Sequence, residues 1–280
     1  MCSRRWLIPE GPECLTLVAQ LREKLDKPDI TAIDILSGRY TRHGPPEGFD
    51  ALRSSLPRKL LSIDCKGKFI YFTLSGDGYI FNTLGMTGGW TVVAADNVPK
   101  NSRAAFTLSD SRTLLFSDPR NFGTLKFVEG RRFLDKKLAS LGWDALSSTS
   151  HRDASFASWL AQDARTLAEI LMDQRRFAGV GNYIKAEVLY ASKFSPHRLG
   201  TSLSVADWEL VCRNVQDVMQ RSFASKGTTI RDYKDADGHV GSFQDELQAY
   251  GRLTDMLGNE VIRETTKDGR TTHWVPAVQN

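Results

Sequence analysis

The chain has 280 residues, 41% of them apolar and 25% charged, which is enough for two domains with a core each and excludes a low-complexity or collagenous protein. Cys2, Cys14, Cys65 and Cys212 form no Cys-x-x-Cys pair and the five histidines make no His-Glu-x-x-His arrangement, so neither a disulfide framework nor a zinc site is expected. A net charge of +4 is compatible with a polyanionic partner but does not by itself demonstrate one.

Residues 1–8, with Arg4, Arg5 and the short Trp6-Leu7-Ile8, are too brief for the apolar core of a signal peptide and read as an N-terminal extension. No stretch approaches the length of a membrane span, and the expectation is a soluble, intracellular protein. Pro9-Glu10-Gly11-Pro12-Glu13 comes next. If Pro9 is the first residue of the working protein, its ring nitrogen is a secondary amine. An α-amino group has a pKa of roughly 7.7 to 8.0, so part of it is unprotonated near neutral pH and able to attack a carbon carrying a leaving group. Attack on a sugar C1′ gives an iminium ion that keeps its positive charge, and Glu10 could move the protons. While residue 8 is attached this chemistry is closed, and removing Met1 exposes Cys2 rather than Pro9. The same five residues also make an ordinary helix start, with Pro12 in the first turn and Glu13 at the favourable end of the dipole.

From Pro12 to Leu25, Leu15, Val18, Leu21 and Leu25 recur at helical spacing. Seven β-rich runs follow: Ile30 to Leu36, Lys59 to Cys65, Phe69 to Leu74, Tyr79 to Leu84, Ala104 to Leu108, Thr113 to Phe116 and Thr124 to Val128. Ser75-Gly76-Asp77-Gly78 is a hairpin turn between two of them. Together they predict a β-sandwich or barrel over 9–130 with the helix at its edge. After Gly130 the pattern turns helical, at Phe133 to Leu141, Ala154 to Leu160, Leu167 to Asp173, Tyr183 to Ala191 and Ser204 to Phe223, with Ser204 as N-cap of the last. The polar, turn-rich Lys226 to Gly241 fits a loop over a site. Val261 to Thr265 and Thr271 to Val275 then predict a second hairpin. Between Leu171 and Ile184, a turn containing Gly179 and Gly181 joins two helices. Backbone N–H groups and Asn182 could there meet a phosphate, or Asn182 could simply cap the second helix.

The chain resembles the formamidopyrimidine-DNA glycosylase and endonuclease VIII family from Pro9 to Gln279. The motifs, in order, are Pro9-Glu10-Gly11-Pro12-Glu13, Gly67-Lys68, Leu84-Gly85-Met86-Thr87-Gly88, Asp118-Pro119-Arg120-Asn121-Phe122-Gly123, Ala178-Gly179-Val180-Gly181-Asn182 and Tyr250-Gly251-Arg252, with a helix-two-turn-helix module at Asp173 to Pro196. The resemblance implies an α+β fold in which a catalytic β-sandwich domain at 9–130 precedes a helix-two-turn-helix domain at 131–225. A lesion-side loop at 226–245 and a finger at 246–280 would follow.

It further implies a bifunctional glycosylase and abasic-site lyase, a monomer without cofactor or membrane, acting on double-stranded DNA that carries oxidised bases or abasic sites. Pro9 matches the nucleophile, Glu10 the proton-transfer acid and Lys68, opening a strand, the family's lysine. Taken alone, Lys68 would be a solvated strand-end charge, and Lys66 on the same side of that strand competes with it. An enzyme that turns a nucleotide out of the duplex must fill the gap, and Met86, Arg120 and Phe122 match the gap-filling trio, although by themselves Met86 and Phe122 would be core or turn residues. Asn101 stands where a DNA-contacting His is usual.

Val275-Pro276-Ala277-Val278-Gln279 stands where Cys-Pro-x-Cys-Gln is the majority pattern, so no zinc is expected in the hairpin. Ile262, Trp274, Val275 and Val278 would pack in its place, as in the zincless finger of endonuclease VIII-like members, which favour oxidised pyrimidines and hydantoins; Leu84-Gly85-Met86-Thr87-Gly88 also occurs in formamidopyrimidine enzymes and leaves purine lesions open. Arg270 would be the fingertip arginine that holds phosphates, against a plain reading as an exposed turn arginine. The competing class is a damaged-DNA binding protein whose chemistry is silent because Pro9 stays internal. A metal-dependent nuclease lacks the acidic cluster it would need.

Overall fold

The structure, a computed structural model, describes residues 9–94, 98–147, 154–227 and 242–280. The extension 1–8, and residues 228–241 of the expected lesion-side loop, lie outside the described residues. The first helix, α1 (Gly11–Lys24), leads into β1 (Asp29–Ile35), and two short helices, α2 (Arg39–Arg42) and α3 (Phe49–Ser54), connect it to β2 (Arg58–Lys66). Strands β3 (Phe69–Leu74), β4 (Gly78–Thr83), β5 (Gly89–Ala94), β6 (Ser102–Leu108), β7 (Arg112–Ser117) and β8 (Thr124–Glu129) complete this half.

These strands form one antiparallel sheet in the order β5-β7-β6-β1-β2-β3-β4-β8. Strands β1 and β2 pair through Asp29↔Lys59 and Ile30↔Arg58 at one end, and there the sheet bends into two four-stranded halves. The halves face each other across aromatic side chains. The ring of Trp90 on β5 lies 4.8 Å from that of Phe72 on β3, and Phe106 on β6 lies 6.4 Å from Phe127 on β8. This is the expected sandwich, with one strand more than the sequence indicates. Strand β5 begins at a glycine pair and has only Trp90 fully inward, so it shows little alternation.

Helix α1 flanks the sandwich as expected, against β2 of one half and β5 of the other. Gly11, Cys14, Leu17, Val18 and Leu21 are all buried, and the helix lies between β2 and a long later helix, α8 (Val205–Ala224). The side that the sandwich alone would leave in water is covered by α8. Between β8 and α8 run α4 (Arg131–Ala139), β9 (Trp143–Asp144), α5 (Ala154–Leu160), α6 (Leu167–Met172), β10 (Phe177–Ala178) and α7 (Asn182–Ser192). Ser204 caps α8 as expected: its Oγ accepts the Asp207 N–H at 3.2 Å while Asp207 Oδ2 accepts the Ser204 N–H at 2.9 Å. Trp208, Val211, Val215, Val218 and Met219 form the buried stripe of that helix. The chain ends in the expected hairpin, β11 (Ile262–Thr265) with β12 (Thr271–Trp274), in register from Ile262↔Trp274 to Thr265↔Thr271.

Candidate active site

Glu10 caps α1, and Glu13 Oε2 accepts its backbone N–H at 2.9 Å, which fixes where the helix starts. The Glu10 side chain, 2% exposed together with its residue, reaches across to the first turn of α7. There Oε1 accepts the Tyr183 N–H at 3.0 Å and Oε2 the Ile184 N–H at 3.4 Å. Two of the backbone donors expected to face a phosphate are therefore taken by a carboxylate of the protein itself, which uses the same attraction of a helix start for negative charge. Pro9 is buried beside it.

Lys68 does not open a strand. Gly67 and Lys68 form the turn between β2 and β3, with the Gly67 N–H donated to Asp144 Oδ2 at 2.8 Å. The lysine is thereby carried out over α7. A β-carbon on Gly181 would lie 2.2 Å from Glu10 Cδ and 2.6 Å from Lys68 Nζ, so the two head groups converge on a spot that only glycine leaves open. Gly179, at φ +95°, does the same for backbone: its own β-carbon would come within 3.1 Å of the Gly67 Cα and 3.2 Å of the Gly11 Cα. The competing Lys66 is engaged elsewhere, its Nζ donating to the Leu138 and Leu141 carbonyls at 3.0 and 2.9 Å.

Burial pushes the Glu10 carboxyl up to about 7, with Lys68 pulling it down, the Glu13 charge adding to the rise and the two α7 N–H groups opposing it. Near neutral pH such a group is part protonated and can either give or take a proton. Tyr183 braces the arrangement from below, its hydroxyl lying 3.1 Å from Glu13 Oε1 and 2.9 Å from Ser222 Oγ. Glu13 and Tyr183 are not among the residues expected here. The i, i+3 spacing of Glu10 and Glu13 is a capping signature, but nothing in the sequence pairs Glu13 with Tyr183.

Met86, Arg120, Phe122 and Asn101 are brought to one cluster of loops. Asp118, 1% exposed, ties it together by accepting Thr87 Oγ1 at 2.6 Å and the Gly123 N–H at 2.6 Å. Its own N–H donates to the Asn101 carbonyl at 3.1 Å, and the Arg120 N–H donates to Thr87 Oγ1 at 3.2 Å. Phe122 is 54% exposed, with the Arg120 guanidinium 5.1 Å from its ring centre. The ring is thus held on a clamped loop with more than half of its surface open to the outside.

The C-terminal hairpin carries Arg270 exposed at its turn. Of the four side chains expected to pack within it, Val275 is fully buried, whereas Ile262, Trp274 and Val278 are half-buried. Apolar packing is thus only part of the answer. Gln279 Oε1 accepts the Val275 N–H at 2.7 Å and its Nε2 donates to the Phe194 carbonyl at 2.9 Å. Glu264 accepts the Trp274 Nε1–H at 2.5 Å and lies 2.7 Å from His197 Nε2. Asn182 is not the α7 cap, which is Gly181; its Nδ2 donates to the Thr271 carbonyl at 2.8 Å. Three residues on, Lys185 Nζ meets Asp268 Oδ2 at 2.6 Å with both side chains buried. Glu187 accepts the N–H groups of Gln248, Ala249 and Tyr250 at 2.7 to 3.0 Å, fastening the segment that precedes the hairpin. Among the described residues no group of His, Cys, Asp and Glu is placed to hold a metal, and the residues where the family's zinc would sit do not fit one. No helix among them is long and apolar enough to cross a membrane.

Two family models match the chain: the formamidopyrimidine-DNA glycosylase N-terminal domain over residues 8–125 and the formamidopyrimidine-DNA glycosylase H2TH domain over residues 141–234. Formamidopyrimidine-DNA glycosylase of Thermus thermophilus is 33% identical over 278 residues, 97% of this chain and 98% of its own. The crystal structure of the MutM (Fpg) protein from the same organism superposes with a TM-score of 0.83 at 32% identity, covering 97% of this chain and 98% of that one. The complex of Lactococcus lactis Fpg with DNA containing an abasic site has a similar fold, with a TM-score of 0.85 at 24% identity over 97% and 99% of the two chains.

Proposed function

This chain belongs to the formamidopyrimidine-DNA glycosylase family, and from that membership we propose that it removes oxidised bases through a covalent intermediate on Pro9. It is a DNA-repair glycosylase with abasic-site lyase activity, and its partner is damaged double-stranded DNA. The finer reading concerns how it works and on what.

In a chain that begins at Pro9, the unprotonated ring nitrogen attacks C1′ of the damaged nucleotide. The bond from C1′ to the base breaks, and the base leaves with a proton from Glu10. The ring nitrogen gives up its proton, the C1′–O4′ bond breaks with O4′ taking a proton, and the opened sugar is left as an iminium on Pro9. The iminium acidifies C2′, and loss of a proton there expels the 3′ phosphate. A second elimination expels the 5′ phosphate. The observation that carries this is the Glu10 carboxyl held at the α7 N–H groups, raised by burial to about 7 and faced by Lys68 over Gly181. Met86, Arg120 and Phe122 occupy the gap in the duplex, while Asn101, Asn182 and Arg270 lie towards the strand. The division at residue 130 falls between the sandwich, which carries Pro9, Glu10, Lys68 and the gap-filling residues, and the part that carries Asn182 and Arg270. The preferred bases are oxidised pyrimidines and hydantoins, a reading supported by Pro9-Glu10-Gly11-Pro12-Glu13 and by the cysteine-free hairpin, while Leu84-Gly85-Met86-Thr87-Gly88 leaves purine lesions open.

Borohydride trapping on abasic-site DNA tests the nucleophile. A chain starting at Pro9 is expected to form an adduct, and one keeping residues 1–8 is not. An equal adduct from both would remove Pro9 from the mechanism. No adduct from either would favour the second reading, a damaged-DNA binding protein, whose support is that Pro9 nitrogen is an amide while residue 8 is attached. Single-turnover excision of dihydrouracil and spiroiminodihydantoin against 8-oxoguanine and formamidopyrimidine tests the substrate; faster removal of the purine lesions would reverse the preference.

A further inference from the structure

Arg270 sits at the end of a hairpin with four residues in each strand, and a hairpin of that size does not hold a direction in water unaided. Its neighbour Asp268 points inward. Oδ1 of Asp268 accepts Thr266 Oγ1 at 2.5 Å and the backbone N–H of Arg270 at 3.3 Å, which sets the turn. Oδ2 meets Lys185 Nζ at 2.6 Å, with side-chain exposures of 0% for the lysine and 4% for the aspartate. Thus one oxygen shapes the turn and the other fastens it to α7. Lys185 projects from the same first turn of α7 whose N–H groups hold Glu10, so the hairpin tip and the reacting end of the site share one rigid support.

We propose that Lys185 and Asp268 form a buried ionic latch that aims Arg270 at the DNA strand in place of a metal. Lys185 is a positioning residue: covered by the protein, it has no surface with which to touch a phosphate, and it acts through the arginine two residues beyond its partner. The proposal rests on Arg270 being a phosphate contact, as in the function given above.

Four proteins test it: the parent, Lys185→Met, Arg270→Ala and the double variant. Each is measured for affinity to a duplex with a tetrahydrofuran abasic analogue across a salt series, and for the trapping rate at saturating abasic DNA. Lys185→Met and Arg270→Ala are each expected to weaken binding about tenfold and to lower the salt slope by about one, the loss of one phosphate contact. The double variant should bind within about twofold of the weaker single variant, and the trapping rate at saturation should change less than affinity does. Effects that multiply in the double variant, or Lys185→Met binding like the parent, overturn the latch.

Hydrogen exchange of the free proteins gives a readout that needs no DNA. Amides of β11 and β12 should exchange faster in Lys185→Met while those of α8 stay unchanged. Unaltered hairpin exchange would also overturn the latch. Should Lys185→Met fail to fold, Asp268→Asn, which keeps a hydrogen bond and loses the charge, takes its place with the same expected outcomes. A parent that neither binds nor traps abasic DNA would count against the function itself, and the exchange contrast would still decide the latch.

Discussion

The junction around Glu10 and the C-terminal hairpin are both fastened to the first turn of α7, by opposite means. At the junction the backbone does the holding: the N–H groups of Tyr183 and Ile184 grip Glu10, and Gly11, Gly67 and Gly179 let three distant segments touch main chain to main chain. At the hairpin the side chains of Asn182 and Lys185 do it. Backbone donors cannot be exchanged by substitution, and they fix distances tightly enough for proton transfer. Side-chain ties can be traded for others, so a hairpin without cysteines can stand beside a junction whose form is fixed by backbone. The junction should therefore govern the chemical step, and the hairpin affinity and local stability.

The widest separation is expected at Glu10. Glu10→Gln keeps the shape but has no proton of carboxylic acidity to give, and single-turnover base excision should fall about 10² to 10⁴-fold while DNA affinity holds. A loss confined to affinity would break the comparison. Gly181→Ala comes next: the added methyl must displace the Glu10 carboxyl carbon, 2.2 Å away, or Lys68, and excision should fall about 10²-fold with a near-parental affinity. A fully active alanine variant would show that the convergence over Gly181 is not needed.

The pH dependence of stability sharpens the same point. The folded protein raises the Glu10 carboxyl from 4.5 to about 7, so it binds that proton more tightly than the unfolded chain does. This contribution is fully present below about pH 4.5 and is lost as pH rises through about 7, roughly 3 kcal/mol across the window. Urea unfolding at pH 5 and pH 8 should show the parent losing more stability than Glu10→Gln over that interval; equal losses would place the carboxylate in a wetter site.

The smallest effects belong to the hairpin. Gln279→Ala leaves a buried N–H and a carbonyl unpaired at its base and should cost about 1 to 3 kcal/mol in thermal unfolding. His197→Ala breaks a hydrogen bond to Glu264 whose partners are 46% and 39% exposed, and should cost under about 1 kcal/mol. Reversal of that order would mean that the hairpin is held at its surface.

How much of this is legible in the sequence follows the same division. Strands β3 and β4 and helix α8 are readable almost to their ends, because apolar alternation, a turn such as Gly76-Asp77 and a cap such as Ser204 are local signals. Gly179 and Gly181 mark a turn that needs missing side chains, and the structure gives the reason at both. The cover over the far side of α1 escapes such a reading because it depends on α8, which comes far later in the chain. Lys68 reads as the start of a strand because a two-residue turn of Gly and Lys carries little turn chemistry beyond the glycine. The Lys185–Asp268 pair cannot be read at all: each is an ordinary charged residue, one in a helix and one in a turn, and only the fold joins them.

The grip of Glu10 on Tyr183 and Ile184 also sets a schedule. Residue 10 leaves the ribosome early, and its two partners follow more than 170 residues later. A half-made chain with its sandwich folded therefore carries the proline and the glutamate without the environment that tunes them. The Glu10 carboxyl gains its α7 donors, and with them the surroundings that set its proton affinity, only on completion of the second half.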